Sequence, residues 1–258
     1  MAVHPTSILD PKAEISPDAE IGPYCVIGPR VAIGARTRLM ANVYLEGKLI
    51  IGEDNLFYPY SSIGVAPQDL KYKGEASETC IGNRNRIREF VTINRGTEGG
   101  GMITSIGDDN LIMAYVHIAH DVTITNRVIL ANNVTFAGHV YVGECANIGG
   151  HAGIHQFCRI GRHAMVGSYS VINQDVLPFS KVAPTRAVAV YGANRIGMER
   201  RGLTSEQIEP LQNALRILTR SSLNTSQALS RITEEVPQTA EVQELIAFIN
   251  ESKHGFVK

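Results

Sequence analysis

The sequence has no tryptophan, and only 6% of it is aromatic. A core without large rings has to be made of stacked aliphatic side chains. Neither charge is in excess: 24 Lys and Arg stand against 25 Asp and Glu, a net charge of −1. No global field therefore draws the chain to nucleic acid. No apolar run is long enough to span a bilayer. The four cysteines, Cys25, Cys80, Cys145 and Cys158, lack the close paired spacing of a disulfide framework or a zinc knuckle. Met1–Pro5 shows no basic segment leading into an apolar run, so no leader is expected and the cytoplasm is the natural location. At 258 residues the chain suits one large domain, or a domain with an appendage.

What is present is a beat of six. From Ile106 to Pro178 an aliphatic or aromatic residue recurs at every sixth position: Ile106, Ile112, Ile118, Ile124, Leu130, Phe136, Val142, Ile148, Ile154, Ile160, Val166, Ile172. The residue four after each is mostly small or β-branched, as at Val116, Val122, Val134, Ala146, Ala152, Cys158 and Ala164. Each small residue sits two before the next large one, and on an extended segment residues two apart share a face. A hexad thus offers one inward pair, and Cys25 and Cys158 fill its small slot. Gly often follows the large residue (Gly107, Gly143, Gly149, Gly161, Gly167), where a tight turn would use positive φ. A period of six drifts around a helix surface and makes no stripe. Kept this long, it specifies a β-solenoid. The same beat runs from Val3 through Leu9, Ile15 and Ile21 to Ile63, with Pro5, Pro11, Pro17, Pro23 and Pro29 in step. Proline there suits the open end of a solenoid.

The beat breaks twice. Ala66–Lys73 is polar, and Gly96–Gly101 is rich in glycine; loops are expected near 66–80 and 95–105. The step from Ile93 to Ile106 is two hexads and one residue more, so it leaves the beat and the second break is a true insertion. Solenoid insertions cluster on the binding face. After Ile172 the pattern dissolves at Pro178 and Pro184, and the tail reads as helices. Thr204 and Gln207 form a capping box ahead of Ile208, Leu211, Leu215 and Leu218. Pro210 argues against one unbroken helix there. Two amphipathic segments follow, near Ser226–Val236 and Ala240–Ser252. Residues 1–185 are therefore read as the solenoid and 186–258 as a small α-helical domain.

Six motifs occur in order along this frame: Gln68-Asp69-Leu70-Lys71-Tyr72, His117-Ile118-Ala119-His120-Asp121, Leu130-Ala131-Asn132-Asn133, Ala137-Gly138-His139-Val140, His155-Gln156-Phe157-Cys158 and Arg200-Arg201-Gly202. The set resembles the hexapeptide-repeat acyltransferases, and within them the UDP-N-acetylglucosamine O-acyltransferases of lipid A biosynthesis. The resemblance covers essentially the whole chain. It implies a mainly β fold: a left-handed parallel β-helix with three hexads per coil and a triangular section, followed by the helical domain. The left hand comes from the resemblance alone, since crossover geometry by itself favours the right hand. It further implies a homotrimer with active sites between subunits. The implied reaction moves a 3-hydroxyacyl chain from acyl carrier protein to the 3-hydroxyl of UDP-N-acetylglucosamine. The chain rides on the carrier's phosphopantetheine arm, with no separate cofactor and no metal.

With three hexads per coil, the hexads starting at Ile118, Phe136 and Ile154 stack on one face. His120, His139 and His155 then fall on three successive coils, spanning roughly 10 Å at about 4.8 Å per coil. Acyl transfer to a hydroxyl needs a base, an oxyanion donor and two substrates in register. Histidine is the natural base near neutral pH. By resemblance that base is His120. Asp121 beside it would orient the ring, although a direct contact requires a turn, because successive strand residues point apart. By resemblance the Gly138 N–H receives the oxyanion, and His117, His139, His155 and Gln156 contact substrate. Asp69 and Lys71 would hold the sugar nucleotide on a loop that reaches a neighbouring subunit. Asn194, Arg200 and Arg201 resemble uridine and diphosphate contacts, arginine being suited to phosphate; Ile196 departs from relatives that carry an acid there. Ser168, eight hexads beyond His120 and roughly 13 Å along the axis, stands where the family sets acyl-chain length. Its small side chain favours a longer chain such as 3-hydroxymyristoyl. Arg84, Arg86, Arg88, Arg159 and Arg162 are candidates to meet the acidic carrier protein.

Two rivals remain within the solenoid class. One is a relative acting on an amine, such as a 3-amino sugar nucleotide, or using acetyl-CoA; the N-acylating relative of the pathway carries a domain before its solenoid, whereas here the beat starts near residue 3. The other is a trimeric zinc enzyme of the carbonic anhydrase kind, with His117, His120 and His139 as ligands. That reading leaves the Asp69–Lys71 loop and the arginine pair without a role. A purely structural solenoid would leave the stacked histidines unexplained.

Overall fold

Each hexad folds as a short strand and a corner. The strands are two to four residues long, as in His117–Ile118, Thr123–Ile124 and Ile129–Leu130. In the two-residue strands the second residue is the large one, and it points inward. Successive strands join three different sheets of 11, 9 and 8 strands, which form the first, second and third faces of a left-handed parallel β-helix. The repeat is three hexads: Val3 lies opposite Ile21, and Ile118, Phe136 and Ile154 lie in one row. That row is fully buried or nearly so, as are the stacked isoleucines and leucines above and below it. The computed structural model describes residues 2–184 and 188–258, so the boundary expected at 185/186 lies outside the described residues.

The corners correct one expectation. The residues in the left-handed region are not the glycines after the large residue but non-glycine residues three positions after it: Asp109, Tyr115, Asp121, Arg127, Asn133, His139, Cys145, His151, Phe157, His163 and Tyr169 all have φ between 56° and 67°. In many of these corners the N–H bonds to a carbonyl of the coil below, as from His139 to His120 at 3.1 Å. The glycines serve close packing of coils instead. A Cβ on Gly143 would lie 2.6 Å from the Arg162 nitrogen, and one on Gly161 2.3 Å from that of Pro178.

Bulky residues with positive φ carry a backbone cost, and stacking between coils offsets it. The corner between the third and first faces is a charge ladder, Arg36–Asp54 and Arg84–Asp109, each pair at 2.7 Å. The corner between the first and second faces is aromatic: Tyr60, Phe90 and Tyr115 stack at 5.1 and 4.8 Å. The corner between the second and third faces carries His120, Asp121 and His139.

The small inward slot holds Thr37 as a small β-branched residue, but on the charge-ladder side it also takes asparagines, against expectation. Thr37, Asn55, Asn85 and Asn110 are buried there. Each Asn Oδ1 accepts the next backbone N–H, from Asn85 to Asn55 at 2.9 Å, from Asn110 to Asn85 at 2.9 Å and from Val128 to Asn110 at 2.7 Å. Their amide groups donate to Gly82, Gly107 and Thr125 carbonyls. The ladder satisfies itself, so it is tolerated in the core.

Both insertions leave from the corner between the second and third faces. Ile51 pairs with Ile81 and Ile81 with Ile106, so both coils exceed the regular three hexads. The first insertion adds two whole hexads' worth of chain, which is why the sequence beat stays in phase across it. The second adds one hexad and one residue, which shifts the beat.

The last strand of the first face, Ala189–Ala193, runs antiparallel, and four helices follow. The first, α1 (Arg195–Glu199), has no counterpart in the sequence reading. The others are α2 (Ser205–Arg220), α3 (Thr225–Glu235) and α4 (Ala240–Glu251). Pro210 does not interrupt α2; it lies in the second turn and is buried with Ile208 and Leu211 against the helical core. That core takes in Leu177 and Phe179 from the last coil. Arg162 joins Glu244 at 3.0 Å and Arg159 lies 4.1 Å over Phe248, which ties α4 to the solenoid. The four cysteines are free, three of them buried. Among the described residues no helix is long and apolar enough to cross a membrane.

Candidate active site

The histidine corner lies beside a groove of about 920 Å³. Its walls bring together Asp69, Lys71, His117, His120, Gly138, His139, His155 and Gln156, from successive coils and the first insertion. Asp121 sits behind this wall with a fully buried carboxyl. Its φ of 60° makes the turn that a contact with its neighbour needs, and the His120 Nδ1 lies 2.7 Å from its Oδ2. A neutral imidazole has one N–H; with that proton on Nδ1 facing the carboxylate, Nε2 is the free acceptor. Nε2 points to the groove, 3.9 Å from Asp69 Oδ2.

His139 packs edge-on to His120 at 5.0 Å between ring centres and stacks on Phe157 at 4.6 Å. Burial pushes its imidazole below the ordinary value, and neighbouring His120 and Lys71 add to this while Asp121 and Asp69 oppose it. Burial likewise lowers His117, whose Nδ1 is 2.7 Å from Thr92 Oγ1. His155 and Gln156 are exposed at the same corner, one coil on from His139. Gly138 does not have positive φ. Its N–H has no hydrogen-bond partner among the described residues, and a Cβ there would lie 2.5 Å from His120 Cε1. The glycine therefore makes room for the ring.

His120, Asp121 and His139 place ligand-type atoms within 4.8 Å of one another. The shortest approach among them is the hydrogen bond between His120 Nδ1 and Asp121 Oδ2, and the same carboxylate also accepts from Thr97. The donor atoms are thus engaged with each other, as in an oriented base.

The structure does not bring the remaining candidates to this groove within one chain. Asn194, Arg200 and Arg201 line a second cavity of about 680 Å³ with Asn147, Met165 and Lys181 of the first face. Asn194 caps α1 by accepting from the Gly197 N–H and donates to the His163 carbonyl at 3.0 Å. Ser168 is exposed at the corner between the first and second faces, outside the groove wall. Arg84, Arg88, Arg159 and Arg162 are each engaged by carboxylates, of Asp109, Glu89, Glu251 and Glu244. The sequence reading assigns no site role to Thr97 or Phe157, although Phe157 lies in one of the six motifs and Thr97 in the second insertion. Phe157 stands three hexads after His139, so the coil length would have found it; Thr97 lies on an aperiodic insertion and has no such signal.

Beside the second cavity, burial against Phe179 pushes the His163 imidazole down to about 4, and Arg162 adds to this. The unfolded chain binds this proton first, at the ordinary 6.5. Stability present above that value is therefore lost as pH falls from 6.5 towards 4, by at most about 3 kcal/mol. His163→Asn, which tolerates the left-handed backbone, is expected to flatten this loss in denaturant titrations at pH 7.5 and 5. An equal loss in the variant would assign the acid sensitivity elsewhere.

The fold agrees with that of known proteins. The profile described as "Udp N-acetylglucosamine O-acyltransferase; Domain 2" matches residues 175–257, and that of the bacterial transferase hexapeptide matches residues 103–138. The acyl-[acyl-carrier-protein]–UDP-N-acetylglucosamine O-acyltransferase of Thermodesulfovibrio yellowstonii is 48% identical over 99% of each chain. The solved structure of LpxA from Acinetobacter baumannii is 41% identical with a TM-score of 0.96, covering all of both chains. The UDP-N-acetylglucosamine O-acyltransferase of Moraxella catarrhalis is 44% identical with a TM-score of 0.95, again over both chains in full.

Proposed function

The chain belongs to the acyl-[acyl-carrier-protein]–UDP-N-acetylglucosamine O-acyltransferase family, and from that membership we infer how its own residues carry the reaction. It is an acyltransferase that moves an acyl chain from acyl carrier protein to UDP-N-acetylglucosamine, in lipid A biosynthesis. We take the acceptor to be the 3-hydroxyl and the donor a 3-hydroxyacyl thioester on the carrier's phosphopantetheine arm, with no cofactor and a cytoplasmic location.

The observation that carries the mechanism is His120, tied at Nδ1 to a buried carboxylate and free at Nε2 towards the groove. Nε2 takes the proton of the sugar hydroxyl as its oxygen attacks the thioester carbonyl. The carbonyl oxygen becomes the oxyanion of a tetrahedral intermediate and is received by the unpartnered Gly138 N–H. Collapse expels the thiolate, which takes the proton back from His120 and leaves the ester. Asp121 holds the ring and stabilises its charged form. Asp69, Lys71, His117, His139, His155 and Gln156 supply the polar surface for the acceptor.

We further propose a homotrimer with this groove at the subunit interface. Asn194, Arg200 and Arg201 lie on another face of the same chain, so they can serve the groove only from a neighbouring subunit. Leu70, wholly exposed at the tip of the first insertion, is the apolar anchor such a contact would bury. Ser168 as a determinant of chain length depends on the same assembly.

The test uses protein whose solution mass is expected to be that of three chains. It is offered UDP-N-acetylglucosamine and a panel of 3-hydroxyacyl carrier proteins, and formation of a base-labile ester on the sugar is expected. Transfer only to a 3-amino acceptor would overturn the choice of nucleophile. No transfer, with zinc bound at His120 and His139, would overturn the reaction.

A further inference from the structure

The second insertion closes over the far side of the catalytic corner. Thr97 is buried. It donates its N–H to Asp121 Oδ1 at 2.9 Å and its hydroxyl to Oδ2 at 2.6 Å. The Thr97 carbonyl accepts from Gly100 and Met102 N–H groups at 3.1 and 2.9 Å, which closes the turn. Gly100 presses on the carboxyl: a Cβ there would lie 1.9 Å from Asp121 Cγ. The Asp121 N–H in turn donates to Thr104 Oγ1 at 2.8 Å. The loop itself is pinned outside, because the Glu75 carboxylate accepts from the Lys73 N–H at 2.8 Å and the Glu98 N–H at 3.3 Å. One carboxylate thus joins the two insertions.

A buried carboxylate can accept from several directions. Two histidines compete for Oδ2 here: His120 Nδ1 at 2.7 Å and His139 Nδ1 at 3.8 Å. Asp69 also faces the ring, 3.9 Å from Nε2, and Lys71 lines the same groove. With both oxygens held by Thr97, the carboxyl has one orientation, and Oδ2 faces His120. Were the hydroxyl absent, the carboxyl could rotate towards His139. The His120 proton could then move to Nε2, and an Nε2–H ring cannot accept the sugar proton.

We propose that Thr97 is a positioning residue for the acyl transfer. It fixes the Asp121 carboxylate so that His120 keeps its proton on Nδ1 and its lone pair on Nε2. The inference rests on His120 as the base, and it adds the group that keeps that base in the working tautomer. Second-layer contacts of this kind orient histidines elsewhere.

The experiment compares Thr97→Val, which removes only the hydroxyl at nearly equal volume, with Thr97→Ser, which keeps it. Both are assayed as the full protein for kcat and for KM with each substrate. The tautomer of His120 is read without substrate from ¹⁵N shifts of labelled imidazoles, assigned with His120→Ala. Thr97→Val is expected to lower kcat about 10- to 100-fold with both KM values within about twofold, and to show a mixed tautomer. Thr97→Ser is expected to stay near wild type in both readouts. A Thr97→Val protein with wild-type kcat and an unchanged Nδ1–H ring would overturn the proposal, as would equal losses in both variants, which would point to packing. If the wild-type protein transfers nothing to the sugar nucleotide, the reading of the reaction fails, and the imidazole spectra alone decide whether Thr97 sets the tautomer.

Discussion

His120→Ala is expected to lower kcat about a thousandfold, the middle of the range for loss of a general base, with KM for the sugar nucleotide changed only a few-fold. The ring lines the groove at a corner, outside the aliphatic core, so its loss widens the groove and the coil should fold normally. Asp121 keeps two donors from Thr97, so no unpaired buried charge is left behind. The Gly138 N–H and the groove wall also remain, and they would sustain the residual rate above solution. External imidazole is expected to restore part of the activity, because the variant leaves a ring-sized gap open to the groove. The measurement is steady-state transfer from a 3-hydroxyacyl carrier protein to UDP-N-acetylglucosamine by wild type and variant, with a circular dichroism melt as the control for folding. Wild-type kcat in the folded variant would remove His120 as base. The role would then pass to His139, whose Nδ1 already lies 3.8 Å from Asp121 Oδ2.

The parts of this site that can be read in the sequence are those the repeat carries. A strand fixes which side chains face inward, and a coil of three hexads fixes which ones stack. The repeat, with the coil length that the resemblance supplies, therefore places His120, His139 and His155 in one column, and Ile118, Phe136 and Ile154 in the row beneath them. Where an inward slot breaks the apolar rule, the beat alone misleads: Asn55, Asn85 and Asn110 look like exceptions until their hydrogen bonds to one another are seen. Single-residue preference assigns the corner glycines to positive φ. In the fold that conformation falls to Tyr, Arg, Asp and His, which stack or pair with their counterparts one coil away, and glycine is needed where coils touch. Arg84 alternates with Arg86 and Arg88 like a docking stripe, yet it belongs to the charge ladder with Asp108 and Asp109. The link from Thr97 to Asp121 crosses an aperiodic loop, so no period predicts it. Asn194, Arg200 and Arg201 follow the solenoid motifs in order along the chain, but order along a chain does not say which face, or whose subunit, they serve.

Gly138→Ala is expected to cost about a hundredfold in kcat while leaving the fold intact. Alanine suits the Gly138 backbone, which lies outside the positive-φ region, so no strain arises from the main chain. The added methyl carbon would instead lie 2.5 Å from Cε1, 2.8 Å from Nε2 and 3.1 Å from Nδ1 of His120. Contacts that short cannot persist, and the ring has little room to move. It is held on one side by Asp121 at 2.7 Å and flanked by the edge of His139. The ring must therefore swing off the carboxylate or off the line to the substrate. A displacement of about 1 Å at a reacting group costs on the order of a hundredfold. The variant keeps its backbone N–H, so the loss would report on the ring and not on the oxyanion donor. A double-mutant cycle separates the two: in His120→Ala the ring is gone and the methyl has space, so adding Gly138→Ala should cost little more than about twofold. A full hundredfold loss in both backgrounds would mean that Gly138 acts at the oxyanion or on the substrate directly. Wild-type activity in the single variant would mean that the ring is not wedged at all.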